Sequence, residues 1–290
     1  MKIIDRIESG KQFLSLEFFP PKERSEWPAF FTTVERLTAI NPLFASVTYG
    51  AGGSTHGDSL EIVSRLTRDH GLDTLAHLTC VGSSRDNICS FLDGLTDAGV
   101  ENVLALRGDR PKDALPGEYD SGELHYASEL VSFIRSSHPH IGLGVAGYPE
   151  THPEAVDPAT DLGYLKLKTD QGGEFVITQL FFDNRLYFDF VRNARNSGIT
   201  CPIIPGLLPV VSLKVIKRII SLCGASIPAD YLAALEDADR RGGAAEVQKL
   251  GVTHARTQAE GLLAGGAPGV HLYTLNRSDL IIELTQGLLD

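Results

Sequence analysis

Eight times in 290 residues a short apolar segment gives way to an amphipathic stretch of helical length, and almost every such segment ends on a polar or charged residue. The segments are 13–20, 44–51, 73–80, 102–109, 141–149, 175–183, 201–209 and 269–277. Stretches such as 26–40, 58–71 and 85–99 lie between them, several ending in Gly or Asn as helices often do. Strand alternating with helix demands parallel pairing through right-handed crossovers, and eight such units close a ring. The expected fold is therefore α/β, a (β/α)8 TIM barrel. The spacing departs from this rhythm only at 212–266, which holds extra helices between strands 7 and 8. One helix is expected to start at 226–230, and a long amphipathic one to cover 244–263. No linker or low-complexity run brackets this region, so 1–290 reads as a single barrel domain. Two candidate loop insertions, 110–122 and 148–161, follow strands on the catalytic face.

A hydrophobic content of 42% with 22% charged residues suits a globular protein with a substantial core. The net charge of −11 argues against a general nucleic-acid or membrane surface, since both are polyanions that attract Lys and Arg patches. An anionic ligand would need a local basic pocket. The charged first ten residues lack the apolar core of a signal peptide, and no uncharged apolar run nears the roughly 20 residues that span a bilayer. A cytoplasmic location is expected. Cys80, Cys89, Cys201 and Cys223 are widely spaced without a Cys-x-x-Cys, so they read as plain thiols and no metal site is expected.

The chemistry gathers at strand ends. In 102–109, Asn-Val-Leu-Ala-Leu-Arg-Gly-Asp, a strand runs straight into Arg107, Gly108 and Asp109. Period two puts Val103, Ala105, Arg107 and Asp109 on one face. An exposed turn after a buried strand is the plainer reading. In the first strand Glu17 shares a face with Ser15 and points into the barrel among aromatics, where desolvation would raise its pKa and make it a general acid. A salt bridge to a barrel Arg is the alternative. Ser46 and Thr48, then His77 and Thr79, fall on the matching parity and can hydrogen-bond the edge of a heteroaromatic ring, although His77 alone fits a satisfied core histidine as well. The spelling Gly142-x-Gly144-x-x-Gly147 imitates a dinucleotide fingerprint, but these glycines lie within a strand, so the Rossmann reading is rejected. They are expected instead to leave room for a flat ring near the backbone. Tyr148, Glu150, His152 and Glu154 form a polar loop, with Asp161 and Lys168 on the helix after it, and His152 has no second His at ligand spacing. Gln179 sits in an apolar run and must find hydrogen bonds, while Tyr273 and Arg277 come from the last strand. A single mouth is thus expected to collect Glu17, Thr48, His77, Arg107, Asp109, Tyr148, Gln179, Tyr273 and Arg277. No Ser-His-Asp or Cys-His arrangement is legible.

Eight stretches taken together carry a resemblance: Glu-Phe-Phe-Pro-Pro, Ser-Val-Thr-Tyr-Gly-Ala, His-Leu-Thr-Cys, Ala-Leu-Arg-Gly-Asp, Tyr-Pro-Glu-x-His-Pro-Glu, Ile-Thr-Gln-x-Phe-Phe-Asp, Pro-Ile-Ile-Pro-Gly-x-Leu-Pro and Tyr-Thr-Leu-Asn-Arg. In this order, over almost the whole chain, they resemble methylenetetrahydrofolate reductase of the bacterial, single-domain type. The resemblance implies a flavin-dependent barrel in which NADH or NADPH reduces bound FAD, which then reduces 5,10-methylenetetrahydrofolate to 5-methyltetrahydrofolate. Carried over by motif, Glu17 is the acid that helps open the folate ring, and Asp109 tunes the flavin and holds substrate. Gln179 contacts folate and nicotinamide in turn. Thr48, His77, Arg107, Gly108, Asp109, Tyr126, Ala146, Tyr148, His152, Asp161 and Lys168 fall on flavin-binding positions, and Tyr273 and Arg277 near the folate tail. The chain departs from the bacterial pattern at 210–213, Val-Val-Ser-Leu, where relatives commonly carry a stacking Phe. This leaves a partner redox protein open as electron donor, and a homo-oligomer or an accessory redox subunit open as partners. The long C-terminal regulatory domain of eukaryotic forms is not expected. A non-redox folate- or pterin-binding barrel that transfers or holds a methyl group is the alternative function.

Overall fold

The structure, a computed structural model, describes residues 1–48, 56–108 and 122–289. Its strands are β1 (Phe13–Phe18), β2 (Ala45–Val47), β3 (Thr74–Thr79), β4 (Asn102–Leu106), β5 (Gly142–Gly147), β6 (Phe175–Thr178), β7 (Ile203–Ile204), β8 (Gly206–Leu207) and β9 (Gly269–Tyr273). All pairings among them are parallel, in the order β7-β6-β5-β4-β3-β2-β1-β9-β8. Because β7 and β8 are successive pieces of one segment, the two ends of this order meet and the barrel closes. The expected seventh strand is broken at Pro205, which has no N–H to give the ladder. β7 pairs with β6, β8 pairs with β9, and the Pro205 carbonyl accepts from His271 N at 2.9 Å at the crossing. Several other strands are shorter than the apolar runs suggest. The sixth ends at Thr178, and Asp183 caps the next helix by accepting from Arg185 N at 2.9 Å.

Helices fill the crossovers: α1 (Ile3–Ile7), α2 (Trp27–Thr38), α3 (His56–His70), α4 (Arg85–Asp97), α5 (Ala127–Ser137), α6 (Pro158–Asp170), α7 (Asn184–Asn196), α8 (Leu213–Cys223), α9 (Ala229–Ala264) and α10 (Ser278–Thr285). Their starts carry side-chain caps where the chain offers Ser or Asp. Ser84 accepts from Asn87 N, Asp157 from Thr160 N ahead of Pro158, and Ser212 from Val215 N. The region 212–266 holds more than one helix, as its length suggests. α9 breaks at Gly242 and Gly243, the latter at φ 62° and ψ −150°, a conformation that a side chain would strain.

Strand alternation sorts the residues into layers. Outward-facing Leu14, Leu16, Phe18, Val103, Ala105 and Val145 pack under the helices in one large cluster. Inward-facing Phe13, Phe44, Leu75, Leu104, Phe175, Ile177 and Ile204 fill the lower barrel with Ile3 and Ile7 of α1. A third cluster, with Phe182, Val210, Ile216, Tyr231 and Leu235, lies under α8 and the first half of α9. Among the described residues no helix is long and apolar enough to cross a membrane.

Candidate active site

Inside the upper barrel, one layer above the apolar filling, β1, β2, β3 and β9 each present polar side chains to the axis. Glu17 is only 6% exposed, with Ser15 and Ser46 sealed and Thr48 and His77 nearly so. The Glu17 carboxylate takes a hydrogen bond from Ser46 Oγ at 3.3 Å and lies 3.4 Å from His77 Nε2 and 3.5 Å from His271 Nε2. Burial would raise its pKa, as the sequence suggests. The hydrogen bonds and charges of His271 and His77 outweigh that and pull it down to about 2. The expectation of a raised carboxyl pKa is thus corrected: Glu17 is ionised at rest, and its partners are two imidazoles rather than a barrel Arg. His271 is held below its ordinary value by complete burial, against the opposing pull of Glu17. Tyr273 is raised by burial, and its hydroxyl donates to Thr178 O at 2.8 Å.

His271 escapes a reading centred on strand ends, since it lies two residues before Tyr273 in mid-strand. The period of two that places Ser15 beside Glu17 was the signal that could have found it. Two residues of the final motif serve structure. Thr274 Oγ1 donates to Glu17 O at 2.6 Å, and Asn276 Nδ2 to Phe19 O at 2.6 Å, fixing the strand that bears Glu17.

A second site lies outside the barrel wall. The same alternation that puts Val103 and Ala105 under the helices sends Arg107 outward, into a cleft of about 1040 Å³ beside α5 and α6. Tyr126, Tyr148, His152, Asp161 and Lys168 line it as well. Arg107 Nη1 pairs with Glu154 Oε2 at 2.6 Å, and this bond lowers the Glu154 pKa. Lys168 Nζ donates to the carbonyl of Ala146 at 2.6 Å, and burial brings its ammonium down to about 8, with Asp161 opposing. Asp161 Oδ2 accepts from His152 N at 2.9 Å. His152 Nδ1 accepts from Glu154 N at 3.1 Å, so the neutral ring carries its proton on Nε2, and burial together with Arg107 lowers its pKa. Tyr148 meets this ring edge-on at 4.6 Å. Gly108 adopts φ 95°, and a Cβ there would come within 3.0 Å of Thr79.

The nine residues expected in one mouth therefore divide. Glu17, Thr48, His77 and Tyr273 share the barrel interior, Arg107 and Tyr148 line the outer cleft, and Arg277 is exposed at the start of α10. Gln179 sits at the end of β6, with its Oε1 accepting from Leu180 N at 2.9 Å. Asp109 lies outside the described residues. The glycines of β5 do not make room for a ring. A Cβ on Gly144 would meet Phe175 at 2.7 Å and one on Gly147 would meet Phe190 at 2.9 Å, so their space is taken by the core. Among the described residues no group of His, Cys, Asp and Glu could hold a metal ion, and the four cysteines are unpaired.

The chain was compared with known proteins. Among solved structures, a Clostridium thermocellum protein described as binding two copies of 5-methyl-5,6,7,8-tetrahydrofolic acid superposes with a TM-score of 0.67 over 99% of this chain and 97% of its own, at 16% identity. That likeness concerns the fold. Methylenetetrahydrofolate reductase (NADH) 1 of Arabidopsis thaliana is 38% identical over 306 residues, covering 100% of this chain and 51% of the plant protein. The chain thus spans about half the length of its plant relatives. It covers 91% of the 5,10-methylenetetrahydrofolate reductase of Salmonella typhimurium, at 34% identity over 281 residues. The profile of the methylenetetrahydrofolate reductase family matches residues 2–288. With that family profile matching nearly its whole length and a bacterial reductase covered almost end to end, the chain belongs to the methylenetetrahydrofolate reductase family.

Proposed function

We propose that this protein reduces 5,10-methylenetetrahydrofolate to 5-methyltetrahydrofolate, drawing electrons from NADH or NADPH through bound FAD, as a single cytoplasmic barrel domain. The observation that carries the reading is the sealed Glu17 carboxylate, gripped by two imidazoles in the upper barrel. The residues suit a flavin dinucleotide. Among the described residues the buried Thr48 Oγ1 has no hydrogen-bond partner, which is costly unless a ligand supplies one. Arg107 and Lys168 are cations in a cleft of about 1040 Å³, at the top of the ~300–1,000 Å³ range typical of ligand pockets, where Glu123, Glu129, Glu154 and Asp161 also stand. When bound, FAD would accept hydride from the nicotinamide and return it to the folate.

The protein's own contribution is binding and proton movement. Arg107, Lys168, Tyr126, Tyr148, His152 and Asp161 would hold the cofactor along the cleft, with Thr48 and His77 contacting it from the barrel interior. Gln179, Tyr273 and Arg277 would contact the folate. Glu17 would move the proton that ring opening requires on the departing nitrogen. Ionised at rest, it must first receive that proton before it can deliver it.

The purified protein is expected to carry the yellow colour of oxidised flavin, whereas a non-redox folate binder would be colourless. Stopped-flow spectroscopy then separates the steps. Glu17→Gln should slow flavin reoxidation by the folate ~10²- to 10⁴-fold, the usual range of general-acid catalysis. Flavin reduction by NADH or NADPH, which needs no such proton, should stay within a few-fold of wild type. Equal slowing of both steps would remove Glu17 from the acid role.

A further inference from the structure

The hydrogen bonds beneath Glu17 run in one direction. Ser15 Oγ lies 2.9 Å from His271 Nδ1, His271 Nε2 lies 3.3 Å from Ser46 Oγ, and Ser46 Oγ donates to Glu17 Oε2 at 3.3 Å. Ser46 gives its one hydroxyl proton to Glu17, so toward His271 it accepts, and the ring must carry its proton on Nε2, directed at Ser46 and at Glu17 Oε2 3.5 Å away. Ser15 Oγ, beside Nδ1, also donates to Val270 O at 3.4 Å. His271 and Ser46 then each donate once toward the carboxylate. The ring is fixed by packing as well: it is fully buried, stacked on Phe44 at 5.7 Å and met edge-on by Tyr273 at 5.6 Å. Every one of the contacts to the carboxylate, the His77 approach at 3.4 Å included, falls on Oε2.

We propose that His271, held as the Nε2–H tautomer by the accepting Ser46 hydroxyl, is the positioning residue for Glu17: it anchors Oε2 so that Oε1 is the oxygen presented for proton transfer. This rests on the reading of Glu17 as the proton-transferring group and names how that group is aimed. A sealed imidazole in a low-dielectric layer stays neutral, which suits a fixed hydrogen-bond donor, and burial acts on His271 in that direction.

Two variants separate positioning from mere packing. His271→Leu removes the donor, whereas His271→Gln retains an N–H near the place of Nε2. A displacement of about 1 Å can cost ~10²-fold in rate. His271→Leu should therefore slow the folate half-reaction about 100-fold, and His271→Gln should recover it to within about 10-fold of wild type. Flavin reduction should change less than about threefold in both, with flavin content unaltered. In the flavin-free protein, ¹⁵N NMR of labelled histidines should show one ring, absent from the spectrum of His271→Gln, as the Nε2–H tautomer at neutral pH. A Gln variant as slow as the Leu variant, equal slowing of both half-reactions, or an Nδ1–H or doubly protonated ring would each overturn the proposal. Glu17→Gln run in parallel keeps the two readings apart. An unimpaired Glu17→Gln protein would overturn the role of Glu17 itself. An impaired one beside an unimpaired His271→Leu protein would overturn only the positioning role.

Discussion

The two ends of the barrel are built by the same strands on the same inward parity, yet they differ in kind within two residues. Phe13 gives way to Ser15 and Glu17 along β1, Phe44 to Ser46 and Thr48 at β2, and Leu75 to His77 along β3. The lower end is a dry filling of Phe13, Phe44, Leu75, Leu104, Phe175 and Ile204, sealed by Ile3 and Ile7 of α1. Asn102 closes it further, accepting from Ile3 N at 2.8 Å and donating to Met1 O at 3.1 Å. The upper end is equally buried, but its side chains are held by directional hydrogen bonds rather than by contact area. Burial alone therefore does not distinguish a site from a core. The number of polar atoms that depend on one another does, because each is expensive to leave unpaired in a low-dielectric interior. Barrel enzymes use this polarity regularly, with stability at the bottom and chemistry at the top.

The largest effect that would test this division is at the bottom. Phe175 is fully buried against Phe44 and over Gly144, and Phe175→Ala should cost about 3–5 kcal/mol, read from urea unfolding, while the folded fraction keeps both half-reactions. Near-normal stability with a lost folate step would show that the filling acts on the chemistry directly.

The next effect belongs to the cleft. Lys168→Met should weaken FAD binding roughly ten- to hundredfold, the worth of about 1.5–3 kcal/mol for a charge-assisted contact. Because its ammonium loses its proton near pH 8, wild-type FAD affinity should decline as pH rises through that value. The variant should show no such decline, as titration of the flavin-free protein with FAD would reveal. A pH dependence that survives in the variant would move the phosphate contact to another residue.

A smaller effect separates the two ends by pH. Glu17 is lowered from 4.5 to about 2 on folding, so its contribution is present above pH 4.5 and lost as the pH falls from there toward 2. His271 is depressed below 6.5, so the unfolded chain binds the proton more readily and stability is lost as the pH drops beneath that value. Both act in the same direction, each at up to about 1.4 kcal/mol per pH unit. Urea midpoints measured from neutral to acid pH should fall in wild type and fall equally in Phe175→Ala, displaced but parallel. Glu17→Gln should flatten the part below pH 4.5. Parallel curves for Glu17→Gln would mean that the upper layer does not carry the acid lability.

The smallest expected change is at Glu154, which is 63% exposed where it pairs with Arg107. Glu154→Gln should tighten FAD binding by no more than a few-fold, since exposed pairs are worth about 0–1 kcal/mol. A weakened affinity would instead make Glu154 a ligand contact.

Much of this was legible beforehand because it depends on local periodicity. Alternation every two residues, repeated between helices with caps and terminal glycines, determined that the strands are parallel, that the ring closes, and that Ser15 shares a face with Glu17, Ser46 with Thr48, and Arg107 with Val103 and Ala105. The extra helices after the seventh strand were equally readable from spacing. What period two cannot supply is which face is the inside of a closed barrel, or what waits there. Only the tertiary structure sends Arg107 outward to the cleft, breaks the seventh strand at Pro205, and gives the β5 glycines to Phe175 and Phe190. It also reverses the sign at Glu17. Desolvation can be inferred from apolar neighbours in sequence, but the imidazoles of His271 and His77 approach from far along the chain, and at 3.5 and 3.4 Å their hydrogen bonds and charges together outweigh burial. A pKa is set by distance in space, and distance in space is the quantity that one-dimensional periodicity leaves unspecified.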